Sequence, residues 1–150
     1  MEKINQLECP QVTLQYKDSN CNKRVTIKSS DICYDILKPL YNDCMQHHEE
    51  CWIIYLNHAN KVLGALCASK CGINCTIIDK KIILQAALLC HATAIIMSHN
   101  HPSGNLIPSE IDKTQTKKLK KACETLDIAL LDHIIITEDG YVSFADEGIL

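Results

Sequence analysis

Residues 94–112 read AIIMSHNHPSGNLIPSEID, and the passage through them sets the architecture. Ala94-Ile95-Ile96-Met97 is a short apolar run, the mark of a strand buried on both faces. His99 and His101 follow at a spacing of two, then Pro102, then a polar loop containing Gly104. Pro108-Ser109-Glu110-Ile111-Asp112 opens a helix that runs to about residue 125. In extended chain, residues i and i+2 project to the same side. The two imidazoles can therefore grip one ion, while Asp112 enters from the first turn of the following helix. Nitrogen and carboxylate ligands suit Zn²⁺, and three protein ligands leave a fourth position open, as catalytic zinc sites do. The same N₂O set also accepts Mn²⁺ or Fe²⁺. A second reading of Ser109-x-x-Asp112 is a capping box, in which Ser satisfies orphan N–H groups and the acid favours the helix dipole. The two readings are compatible.

Working outward, Ile128–Thr137 forms another buried strand, and Asp139-Gly140 turns into Tyr141–Phe144. Upstream, Asp79 caps a helix over about 80–91. Cys51–Leu56 is a buried strand joined through the turn Asn57–Asn60 to a strand over 61–69, making a hairpin. Ser29-Ser30-Asp31 caps a helix over roughly 31–46, kinked at Pro39. Residues 1–26 read as a leader carrying an edge strand at Val12–Tyr16, and 27–150 as one domain. Helices alternating with buried strands, with an antiparallel hairpin among them, indicate an α/β fold with a mixed, partly antiparallel sheet flanked by helices.

Composition narrows the function. The chain has 150 residues, 47% of them apolar, enough for a packed core. Its net charge of −3 argues against a chain whose main task is to coat nucleic acid or an anionic membrane. The stretch Met1–Gln6 has no signal-peptide character, and no apolar run approaches the ~20 residues that span a bilayer. The 10 cysteines are irregularly spaced, several inside apolar runs, and read as reduced core thiols of a cytoplasmic protein. Cys67-x3-Cys71-x3-Cys75 is a sharper alternative, a metal or cluster site, although its spacing is not that of a zinc ribbon.

His99-Asn100-His101-Pro102, seven residues from His101 to Ser109, and Ser109-Glu110-Ile111-Asp112 match the JAMM motif of JAB/MPN-type metalloproteases. The longer HNHPSG string, with Leu131-Asp132-His133 and Val142-Ser143-Phe144 downstream, resembles the bacterial RadC family over about Ile27–Leu150. The resemblance implies a three-layer, cytidine-deaminase-like architecture and a zinc-dependent hydrolase acting on a protein or peptide. It also implies an acidic residue ahead of the first core strand. Glu49 and Glu50 are the candidates, and alternation puts them on opposite faces, so one of the two looks into the site. The residues alone do not choose. The family's spacing before Trp52 points to Glu49, with Cys51 standing where an aromatic is usual. The implied roles are His99, His101 and Asp112 as Zn²⁺ ligands, Glu49 as general base and Ser109 as donor to the developing oxyanion.

Other residues read as supporting ones. His133 is a hydrogen-bonded packing histidine, and His47, His48, His58 and His91 are surface or structural. The helix after Ser109 carries Lys113, Lys117, Lys118, Lys120 and Lys121 opposite a buried stripe of Ile111, Leu119, Ala122 and Leu126. Those lysines are a solvated face or, as a weaker reading, a DNA contact. The chain starts almost at the catalytic domain, without the helix-hairpin-helix segment common in RadC-like proteins. The family's name is therefore a poor guide to what the molecule touches. The competing function is a non-enzymatic adaptor in DNA repair or mobile-element biology, with the same fold and an idle metal. A zinc nucleoside deaminase would need H-x-E and P-C-x-x-C, and neither is present.

Overall fold

A computed structural model describes residues 15–17, 24–70 and 78–150. Its elements are α1 (Ser30–Leu37), a 3₁₀ turn (Lys38–Tyr41), β1 (Glu50–Leu56), β2 (Val62–Lys70), α2 (Lys80–Leu89), β3 (Ala94–Asn100), α3 (Glu110–Glu124), β4 (Ala129–Ile136) and β5 (Tyr141–Ser143). The five strands form one sheet in the order β2-β1-β3-β4-β5. The β1–β2, β1–β3 and β4–β5 pairs are antiparallel, and β3–β4 is parallel, with α3 as its crossover. This is the α/β fold with a mixed sheet expected of a JAB/MPN domain.

Strand alternation sorts the apolar residues to two sides. Ile53, Tyr55, Ile95 and Met97 pack with Ile83 and Ala87 of α2 and Leu119 and Cys123 of α3. Ile54, Leu56, Ile96, Ile134 and Ile136 pack with Cys33 and Leu37 of α1 and with Tyr41. Helices thus cover both faces, in three layers, and the central strand β3 is buried at every residue.

Caps and turns follow local chemistry. The side chains of Ser29, Asp79 and Ser109 cap the three helices. Asn57 Oδ1 accepts from the backbone N–H groups of Ala59 and Lys61 and closes the hairpin turn. Asn60 completes it at φ 54°, a left-handed conformation that Asn tolerates.

Three expectations are corrected, and a fourth lies mostly outside the described residues. The helix over 31–46 ends at Leu37, because Pro39 has no N–H to give and its ring clashes with the preceding turn. β3 does not stop at Met97. Pairing on both edges carries it to Asn100, so His99 lies inside the strand. The inward stripe of α3 is Thr116, Leu119 and Cys123, whereas Ile111 and Leu126 are 64% and 40% exposed. Among the residues expected at Val12–Tyr16, Gln15 and Tyr16 have no regular structure, and Val12–Leu14 lie outside the described residues. Cys71 and Cys75 lie outside them too. No helix among the described residues is long and apolar enough to cross a membrane.

Candidate metal centre

The end of β3 is held between β1 and β4, and one further bond, from His101 N to Ile136 O at 2.9 Å, extends the β4 edge past the strand. His99 and His101 therefore project together toward α3. There the capping box of Ser109 and Asp112 orients the carboxylate. Asp112 Oδ2 accepts from Ser109 N at 2.8 Å and from Ser109 Oγ at 2.6 Å, while Ser109 Oγ accepts from Asp112 N at 3.1 Å. Both sequence readings of this tetrapeptide meet here: the cap is what aims the carboxylate.

The donor atoms converge. His99 Nε2 lies 2.9 Å from His101 Nε2 and 3.3 Å from Asp112 Oδ1, and His101 Nε2 lies 3.7 Å from Asp112 Oδ2. A tetrahedron with Zn–N bonds of ~2.0–2.1 Å has edges of roughly 3.3 Å, so these spacings fit one ion. His99, His101 and Asp112 form one of two potential metal-holding groups among the described residues.

A chain of hydrogen bonds decides the tautomers. Thr116 Oγ1 donates to Asp112 O at 2.6 Å, so toward His133 Nδ1, also at 2.6 Å, it can only accept. His133 Nδ1 thus carries the proton and its Nε2 is bare. That bare nitrogen, 2.8 Å from His99 Nδ1, accepts the His99 proton. His99 Nε2 is then left with a lone pair. His101 reaches the same state through Nδ1, which donates to Asn105 O at 2.6 Å. Two lone pairs facing each other at 2.9 Å repel unless a cation sits between them.

Burial and charge act on the same residues. Burial pushes the His133 imidazole well below its ordinary pKa and keeps it neutral, with His99 adding to the effect. Burial acts to raise the Asp112 carboxyl, but the adjacent His101 and His99 rings and the Ser109 hydroxyl outweigh it and hold the group far below the usual carboxylate range. For His101, burial is outweighed by Asp112, the Asn105 carbonyl and the negative charge of Glu49, and the net shift is upward.

The two glutamates part company. Cys51 pairs with His99, so Glu49, two residues earlier, falls on the face of His99 and His101. Glu50 turns to the other face. It is buried and bonded to Trp52 Nε1 at 3.0 Å, His48 Nε2 at 3.2 Å and Lys70 Nζ at 3.3 Å. A cleft of about 310 Å³ opens beside His101, walled by Met45, Gln46, Pro102 and Glu138. Gly104, at φ 76°, closes the turn on its floor by bonding His101 O.

The RadC-like JAB domain family matches residues 27–149 of this chain. The chain belongs to that family. Its HNHPSG and Ser109–Asp112 strings lie within the match, so the resemblance they carried is borne out. The chain is 47% identical over 123 residues to a "UPF0758 protein" of Flavobacterium johnsoniae, covering 82% of this chain and 53% of that one. It is 40% identical over 129 residues to a Porphyromonas gingivalis relative of the same name, covering 85% and 56%. An Aquifex aeolicus relative is 34% identical over 139 residues, covering 93% and 59%. The chain thus spans about half to three fifths of the length of these curated relatives.

Two residues of this JAB domain escaped the sequence reading. Thr116 stands one helical turn after Asp112, and only the fold shows that it meets His133. Asn100 stands between the two histidines but points to the opposite face. Its Oδ1 accepts from Glu50 N at 2.8 Å, and its Nδ2 donates to the carbonyls of Cys44, Met45 and His48. The available signal was an amide on the face of Ala94 and Ile96, opposite the two histidines, directly after a buried apolar run.

Proposed function

We propose that this chain is a zinc-dependent hydrolase of the JAMM type that cleaves a peptide or isopeptide bond. JAB domains form a metal-dependent hydrolase superfamily. The observation that carries the reading is the pair of bare Nε2 atoms 2.9 Å apart beside the Asp112 carboxylate. His99, His101 and Asp112 would hold the ion, and Zn²⁺ bound there would supply Lewis acidity and bring the pKa of water toward ~7. Glu49 accepts the proton of the attacking water and passes it to the leaving amine. Ser109 turns its hydroxyl from Asp112 to the developing oxyanion. Exposed Ile107 and Ile111 flank Ser109, which suits a polypeptide substrate better than a small polar one.

The first test is elemental analysis of protein purified without added metal. His99→Ala/His101→Ala should carry about one zinc fewer per chain than wild type. Equal metal in both, or none in wild type after Zn²⁺ is offered, overturns the reading.

A finer test addresses the tautomer chain. Thr116→Val keeps shape but removes the hydroxyl that fixes His133. It should weaken Zn²⁺ binding roughly 10–100-fold in a chelator-competition titration, with the fold unchanged. Unaltered affinity would mean that His99 is oriented without the relay.

A further inference from the structure

Behind the β1–β3 pair lies a second group of ligand atoms that the hydrolase reading does not use. Cys44, His48 and Glu50 each offer one donor, and these atoms all lie within 4.8 Å of one another. Cys67 Sγ stands 3.6 Å from Glu50 Oε2. We propose that Cys44, His48, Glu50 and Cys67 form a second metal site, for a thiophilic divalent ion of the Zn²⁺ class. It shares no ligand with the His99–His101–Asp112 centre.

Four observations support it. First, the donor set is mixed sulfur, nitrogen and oxygen, which Zn²⁺ accepts in four-coordinate sites and which Mg²⁺ and Ca²⁺ do not favour. Second, the frame is rigid. Cys44 is 1% exposed, and the Asn100 amide bonds the carbonyls of Cys44 and His48 and the N–H of Glu50, so three of the four ligands are tied to β3 through one side chain. Third, the site is reachable, because the His48 side chain is 36% exposed and sits at the rim.

The fourth is charge. Glu50 is a carboxylate at a buried position, with the exposed Lys70 ammonium on its outer oxygen. A divalent ion bound by both thiols displaces their two protons, and that exchange leaves the net charge of the cluster unchanged. Lys70 therefore keeps its role as counter-ion and need not be expelled. Binding releases protons and tightens as pH rises. The ligand Glu50 adjoins Glu49, so an ion on the back of the sheet fixes the backbone from which Glu49 reaches the front.

Cobalt separates the two sites. The front centre offers no sulfur, so a thiolate-to-cobalt charge-transfer band in the near ultraviolet reports the back site alone. Co²⁺ is titrated into reduced, chelator-treated His99→Ala/His101→Ala protein whose fold is checked by circular dichroism. The band should appear, saturate at about one equivalent and bleach when Zn²⁺ is added. In the same background Cys44→Ser should abolish it, and His48→Ala should weaken binding at least roughly tenfold. Should Cys44→Ser fail to fold, Cys67→Ser on the edge strand β2 should still cut the band to about half. Absence of the band overturns the proposal. So does a band undiminished by either cysteine substitution, which would come from other thiols of the chain. Either result leaves the zinc count of the front site untouched.

Discussion

Glu49→Gln is expected to lower turnover by roughly 10²–10⁴-fold, the usual contribution of a general base, while metal content and melting temperature stay at wild-type values. The substitution keeps size and polarity but removes the proton acceptor. Glu49 is not among the three ligand residues, so zinc should remain. Its negative charge adds to the upward shift of His101, in keeping with its place on the histidine face. The measurement is kcat on a peptide or isopeptide substrate, with zinc quantified in the same preparations. A variant as active as wild type would remove Glu49 from the mechanism. A wild-type protein that holds zinc yet cleaves no substrate in a broad peptide and isopeptide screen would favour the adaptor function.

Asn100→Ala should be the most damaging single truncation near the site. The amide is fully buried and holds four backbone groups. Its loss leaves the Glu50 N–H without its acceptor, at about 1–3 kcal/mol, and removes two N–H donors shared among three carbonyls, each donor worth about 0.5–1.5 kcal/mol. A total of roughly 2–6 kcal/mol is a large share of the ~5–15 kcal/mol that holds a domain together. The melting temperature should fall by roughly 4–24 °C. Ser98→Ala is the control, because Ser98 is equally buried but bonds only the Tyr41 hydroxyl by its side chain. Thermal unfolding of both in chelator compares them without metal. A shift for Asn100→Ala no larger than that for Ser98→Ala would show that the 44–50 segment is held by something else.

Much of this molecule is local, and what is local can be read directly. Period-two spacing put His99 and His101 on one side of a strand. A capping pattern placed Ser109 and Asp112 at a helix start, and apolar runs marked the buried strands. Those features depend on neighbours a few residues apart, so the order of elements and three metal-ligand candidates were legible. Boundaries were not. β3 reaches Asn100 because β1 and β4 bond both its edges, and the first helix stops where Pro39 breaks it.

The choice between Glu49 and Glu50 shows where local reading ends. Alternation says that the two diverge, but which one meets the histidines depends on the pairing of Cys51 with His99, a contact across 48 positions of chain. The relay from Thr116 through His133 to His99 joins three elements, and the back cluster draws Cys44 from a turn and Cys67 from a second strand. Sequence by itself determined the strand–loop–helix that carries the ligands, because backbone periodicity and capping act over a single turn. Tertiary structure alone decided which carboxylate lies on the face of the two histidines, which nitrogens are bare and which cysteines meet, because strand register and helix packing are set by the burial of the whole core.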